Sequence, residues 1–108
     1  MEYLLSRGSD VNAVNLKRCS VLHVASVMKD SKAVALLLQQ PAIDTNIRDS
    51  YGDTPLHEAI VKEDPAILNL LCNVANVDFS VVNLRGFNCL HYAALKGNVL
   101  AVQLIISR

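Results

Sequence analysis

Three histidines, His23, His57 and His91, stand 34 residues apart (57 − 23 and 91 − 57), and this spacing constrains the fold more than any other feature of the chain. Aligned on them, the sequence falls into three rows. They are "NLKRCSVLHVASVMKDSKAVALLLQQPAIDTNIR" from Asn15, "DSYGDTPLHEAIVKEDPAILNLLCNVANVDFSVV" from Asp49 and "NLRGFNCLHYAALKGNVLAVQLIISR" from Asn83. Four columns are identical in all three: Leu22/Leu56/Leu90, the histidines, Ala25/Ala59/Ala93 and Leu36/Leu70/Leu104. A fixed period of this length means one supersecondary unit that buries its apolar face by stacking on copies of itself.

The columns spell out the unit. Ser20, Thr54 and Asn88 stand where a first helix must begin, and each can accept an orphan helix amide as N-cap. Pro55 then falls at N1, where its missing N–H costs nothing. Asp30, Asp64 and Asn98 form a second capping column, with Pro65 again at N1, so "EDP" opens a second helix. The second helices are apolar on more than one side, as expected between stacked neighbours. The alanine column lets first helices approach closely, and Gly52 and Gly86 supply turns between units. The expected fold is all-α: one domain over 1–108, a solenoid of helix-turn-helix units joined by hairpin-like turns. The expected boundaries are 1–14 for the end of a preceding unit, then 15–48, 49–82 and a truncated 83–108.

Composition excludes several classes. Ten basic residues balance ten acidic ones, so charge offers no reason to expect nucleic acid or an anionic membrane as partner. The longest apolar run is far short of a membrane span, and Met1 to Arg7 lacks the pattern of a signal peptide. Cys19, Cys72 and Cys89 make an odd count without a C-x-x-C, against a disulfide framework or a zinc site. A reduced intracellular setting, the cytoplasm, is expected.

Chemistry finds little purchase. Equivalent histidines run along the stack with helices ~8–10 Å apart, whereas a zinc–nitrogen bond is about 2 Å. Each histidine, at N3 of its first helix, is instead expected to hydrogen-bond its own turn and the next one. Cys89 stands at N1, where the helix dipole can lower a thiol pKa, but His91 two residues on does not face it. Cys72 reads as core and Cys19 as a turn residue. Asp44, Asp49, Asp53 and Asp78 lack the D-x-D-x-D-G spacing of a calcium loop. No catalytic residue, cofactor or metal site is expected.

"YGDTPLHEA" and "HYAALKGN" (His91 to Asn98), with "LL" in the second helices, resemble the ankyrin repeat. "LLSRGSDVNA" (Leu4 to Ala13) is similar to the end of a preceding repeat, with Gly8 as its helix stop. The resemblance covers essentially the whole chain. Its departures lie in the turns. Arg18 replaces a turn glycine, "KDS" and "EDP" replace the inter-helix glycine, and "QQPAID" and "NVANVD" are a residue longer and lack the helix-ending glycine. "DSYGDTPLHEAI", followed by "GFNCLH" and "AALKGN", is in addition similar to the ankyrin region of Mind bomb-type E3 ubiquitin ligases. That resemblance implies a parent protein acting on Notch ligands through RING domains, whose cysteine–histidine pattern these 108 residues do not contain.

The resemblance implies a protein–protein interaction scaffold and not an enzyme. The alternatives are an adaptor in an unrelated intracellular protein, or a spacer that binds nothing. Information should lie in the columns that vary: the turn tips and the exposed side of the first helices. The expected partner-binding residues are Lys17, Arg18, Tyr51, Asp53, Arg85 and Phe87 on the tips, with Glu58, Lys62, Tyr92 and Lys96 on the first helices. Together they would line a concave face for a protein partner. The chain reads as starting and ending inside second helices, which leaves apolar ends open to self-association.

Overall fold

Thr54 shows how each unit begins. Its hydroxyl accepts from the His57 N–H at 3.3 Å, and its own N–H donates to His57 Nδ1 at 3.1 Å. This is the reciprocal arrangement of a capping box, with imidazole in the place Glu or Gln usually takes. Ser20 and His23 repeat it at 3.3 and 3.1 Å. Because Nδ1 accepts, the proton is assigned to Nε2, which donates across the stack. His23 reaches the Asp53 carbonyl at 2.7 Å and His57 the Phe87 carbonyl at 3.1 Å. The third histidine differs: the His91 ring is exposed.

The computed structural model describes residues 12–74 and 77–107. Over these residues the chain forms α1 (Val21–Val27), α2 (Ser31–Leu38), α3 (Pro55–Lys62), α4 (Pro65–Cys72), α5 (Cys89–Lys96) and α6 (Val99–Ile106). All six N-caps are those expected from the sequence: Ser20, Asp30, Thr54, Asp64, Asn88 and Asn98 each accept from a first-turn amide. The fold is an all-α repeat. The reading of 1–14 as the end of a preceding unit rests mostly on residues 1–11, which lie outside the described residues.

The first helices stack α1 on α3 on α5, and the second helices α2 on α4 on α6. Ala25, Ala59 and Ala93 are buried at the first-helix contacts, and Ile60, Ile67, Leu68 and Leu71 of the middle pair are sealed from both sides. Asn98 ties two layers together, its Nδ2 donating to the Ile60 carbonyl at 3.1 Å. A second ladder runs through the connections between pairs. The Asn12 side chain accepts from the Asp44 N–H at 2.8 Å, and Asn46 from the Asp78 N–H at 2.9 Å.

Where glycine is replaced on the first tip and between the helices of a pair, the backbone keeps the glycine conformation. Arg18 adopts φ 62°, the same left-handed conformation as Gly52 (80°) and Gly86 (84°) in its column. Lys29 (59°) and Glu63 (57°) do the same in the column of Gly97 (69°). Non-glycine residues there carry a backbone cost of roughly 1–2 kcal/mol each. Helix α6 ends at Ile106 with Ser107 as its C-cap. Among the described residues, no helix is long and apolar enough to cross a membrane.

Candidate functional site

Each tip is a closed five-residue turn. Asn15, Asp49 and Asn83 donate their N–H to the carbonyls of Cys19, Asp53 and Phe87, at 3.0, 2.9 and 3.0 Å. The side-chain oxygen of the same residue accepts from the amides two and four residues on, at 2.9 and 3.0 Å for Asn15, 2.9 and 2.9 Å for Asp49, and 3.0 and 3.0 Å for Asn83. Neighbouring tips then bond edge to edge, Ser50 N–H to the Lys17 carbonyl at 3.0 Å and Leu84 N–H to the Tyr51 carbonyl at 2.9 Å. The middle tip approaches the third so closely that a Cβ on Gly52 would sit 2.7 Å from the Leu84 nitrogen. The tips are therefore a tied row, and their side chains project from a fixed frame.

Lys17, Arg18, Tyr51 and Arg85 are exposed on this row, and Asp53 and Phe87 are half-buried just inside it. The Arg85 guanidinium lies 5.6 Å from the Phe87 ring centroid, a cation–π contact. On the first helices Lys96 is exposed, while Glu58 and Lys62 are half-buried. Tyr92 corrects the expected outward column, being only 7 % exposed. Its ring leans back over the preceding unit, 5.3 Å from the His57 ring and 6.2 Å from Phe87, with the Lys96 ammonium 5.4 Å above it. A ring of that size gains more by covering its neighbour's turn than by standing in water. Tyr92 thus shapes the floor of the face.

Electrostatically the middle unit is the acidic part of the face. Asp49, Asp53 and Glu58 bring carboxylate oxygens within 4.8 Å of one another. Burial, then the charges of Asp53 and Asp49, raise the Glu58 carboxyl above the usual range, with Lys62 opposing. Asp49 is committed to its tip amides, and Asp53 accepts from Asn83 Nδ2 at 2.9 Å, so the cluster reads as turn structure with one crowded glutamate.

At position 89 burial outweighs the helix dipole. Cys89 is fully buried, and burial pushes its thiol up to about 12. Its Sγ lies 3.9 Å from Nδ1 of His57, a histidine of the preceding unit that sequence proximity does not reveal. A thiol held protonated beside an imidazole engaged at both nitrogens is a packed core group, not a nucleophile.

Two features were not marked by the repeat pattern. Leu16 and Leu84 are exposed on the outer tips, beside Lys17 and Arg85. Their shared column, with Ser50 between, was the available signal. An open hollow of ≈ 440 Å³ around Gly52 is flanked by Arg18, Arg48 and Leu84. A larger one, ≈ 500 Å³, runs between α2 and α4 over Ala35, Ala66 and Leu70.

A family model for ankyrin repeats, in three copies, matches residues 1–83 and 44–108. An ankyrin repeat-containing protein of Schizosaccharomyces pombe is 32 % identical over 102 residues, covering 93 % of this chain and 44 % of the relative. The ankyrin repeat protein FPV219 of fowlpox virus is 36 % identical over 91 residues, 82 % of this chain and 20 % of the relative. The E3 ubiquitin-protein ligase MIB2 of Gallus gallus is 56 % identical, but over 39 residues, 36 % of this chain and 4 % of the ligase. The chain spans less than half the length of each of these relatives. With capped helix pairs in the described region and a family match from one end to the other, the chain belongs to the ankyrin repeat family.

Proposed function

We propose that the chain is a protein-interaction module that holds a partner on its tips and on the adjoining turns of its first helices. The observation that carries this reading is rigid presentation: exposed Lys17, Tyr51 and Arg85 stand in one column on backbone tied within and between tips. Side chains offered from a pre-organised frame lose little freedom on binding, and Tyr and Arg are the usual anchors of interfaces. Units 15–48, 49–82 and 83–108 each contribute one tip. Cys72 and Cys89, buried and outside any disulfide, suit a reduced, cytoplasmic setting.

Immobilised chain, challenged with proteins of its native cell, should retain partners that a Lys17→Ala/Tyr51→Ala/Arg85→Ala variant loses while its helical circular dichroism is unchanged. Equal retention by both would move the site off the tips. Retention of nothing by either favours a spacer, and dependence of retention on bait density would expose self-association through the end faces.

A narrower reading places the module in a Mind bomb-type ligase of Notch ligands. It is supported by the 39-residue stretch at 56 % identity to the chicken ligase. Reading the gene on both sides of codons 1 and 108 tests it: clustered RING-type cysteines and histidines beyond further repeats would uphold it, and their absence would leave an adaptor of another protein.

A further inference from the structure

The chain's zero net charge hides an order along the stack. At the rim of the first unit, Lys17 and Arg18 are exposed cations; at the third, Arg85 is another. Between them the middle unit presents Asp53 and Glu58, half-buried and backed by Asp49; its exposed Arg48 is turned onto the tip backbone, Nε donating to the Gly52 carbonyl at 3.4 Å. Among the described residues none of the three cations is paired with a carboxylate, and Lys62, a turn along from Glu58, opposes the charges of Asp53 and Asp49 there. Tyr51, 68 % exposed, stands between Lys17 and Arg85 in their column, two residues before Asp53. Successive units advance by roughly 8–10 Å, about the length of three residues of extended chain at ~3.3 Å each.

Resting on the reading of this rim as a partner site, we propose that it recognises charge order. Its occupant is an extended protein segment bearing acidic, basic and acidic side chains about three residues apart. The outer carboxylates meet Lys17 with Arg18 and Arg85, the central lysine or arginine meets Asp53 and Glu58, and its aliphatic stem lies on Tyr51. A uniformly acidic segment would bring a third negative charge onto the paired carboxylates of Asp53 and Glu58. A uniformly basic one would face the unpaired cations at both ends. Only the alternating order satisfies all three units without leaving a charge desolvated and unpartnered.

A display library of random twelve-residue peptides, selected against the immobilised chain, tests the proposal. Enrichment of acidic–basic–acidic sequences at three-residue spacing is expected. The strongest of them, measured by fluorescence anisotropy, should bind Glu58→Lys at least tenfold more weakly. Changing that peptide's central base to Glu should restore binding to Glu58→Lys. Circular dichroism guards against a misfolded variant, and Glu58, at the protein surface, sits clear of the apolar core. Enriched peptides that are uniformly acidic, have no charge order, or bind Glu58→Lys as well as wild type would overturn the charge order while leaving the interaction module standing. No enrichment over bare resin would remove both.

Discussion

His23 joins two units through one ring, and that role has a pH signature. Its pKa is held below the ordinary value of 6.5, mainly by burial, partly opposed by the bond to the Asp53 carbonyl. A base whose folded pKa is depressed contributes stability that is present above the unfolded value and lost as pH falls from about 6.5 through the folded one. The urea midpoint should therefore drop between pH 7.5 and 5, and an NMR titration placing His23 at or above 6.5 would refute the cause. Glu58 has the opposite sign. Its raised pKa favours the folded state at low pH, and this advantage disappears as pH rises through that value. Glu58→Gln should raise the midpoint at pH 7 and leave it nearly unchanged at pH 3; an equal gain at both would mean that a buried, crowded charge is not the cause. Glycines separate by surroundings. Gly52→Ala meets both a φ of +80° and the Leu84 nitrogen at 2.7 Å, and should cost roughly 2–3 kcal/mol. Gly86→Ala, with open space around it, should cost only ~1–2 kcal/mol. The histidine bonds were legible because N3 chemistry is local. The Cys89–His57 contact was not, because the two residues are 32 positions apart and meet only through stacking.

The helices of seven or eight residues are too short to persist alone. Their limits are set by caps, which explains why every start could be read from Ser, Thr, Asp or Asn at a fixed column. Thr54→Ala removes a hydroxyl that caps α3 and contacts His57 at 2.9 Å, and should cost about 1–2 kcal/mol. A loss below a few tenths, measured by urea unfolding, would mean that stacking alone sets the helix start. The turns after first helices carry a reserve: Lys29→Gly and Glu63→Gly each relieve a left-handed residue and should gain up to about 1 kcal/mol. The sequence exposed the missing glycines, but local propensity could not decide whether the turn changed shape or kept it at a cost. Stacking decides, since a different turn would pull α2 or α4 out of register. Tyr92 failed for the same reason in reverse. Its column reads as outward on a lone helix, and only the ring of the preceding His57 supplies the surface that buries it.

At the scale of the molecule, stability in such a stack is close to a sum over units and their nearest neighbours. The middle pair is covered on both sides: Leu56 is 2 % exposed and Ile60 and Ile67 are 0 %. In the third described pair the equivalent Leu90 is 37 % exposed, His91 is exposed, and Ile106, in the column of buried Cys72, is 68 % exposed. The period alone implied this gradient, because only a unit with two neighbours can close every column. How far α5 and α6 of these 108 residues hold depends on Asn98, whose bond to the Ile60 carbonyl crosses into the middle pair. Amide exchange should accordingly be slowest in α3 and α4 and faster in α5 and α6, which open before the stack unfolds as a whole. Asn98→Ala should widen that gap, because α6 loses its cap together with its tie to α3. Raising protein concentration should narrow it if the exposed face of α5 and α6 pairs with another copy. Uniform protection in dilute solution would show instead that the three units open as one, and that the stack is more cooperative than its unequal burial implies.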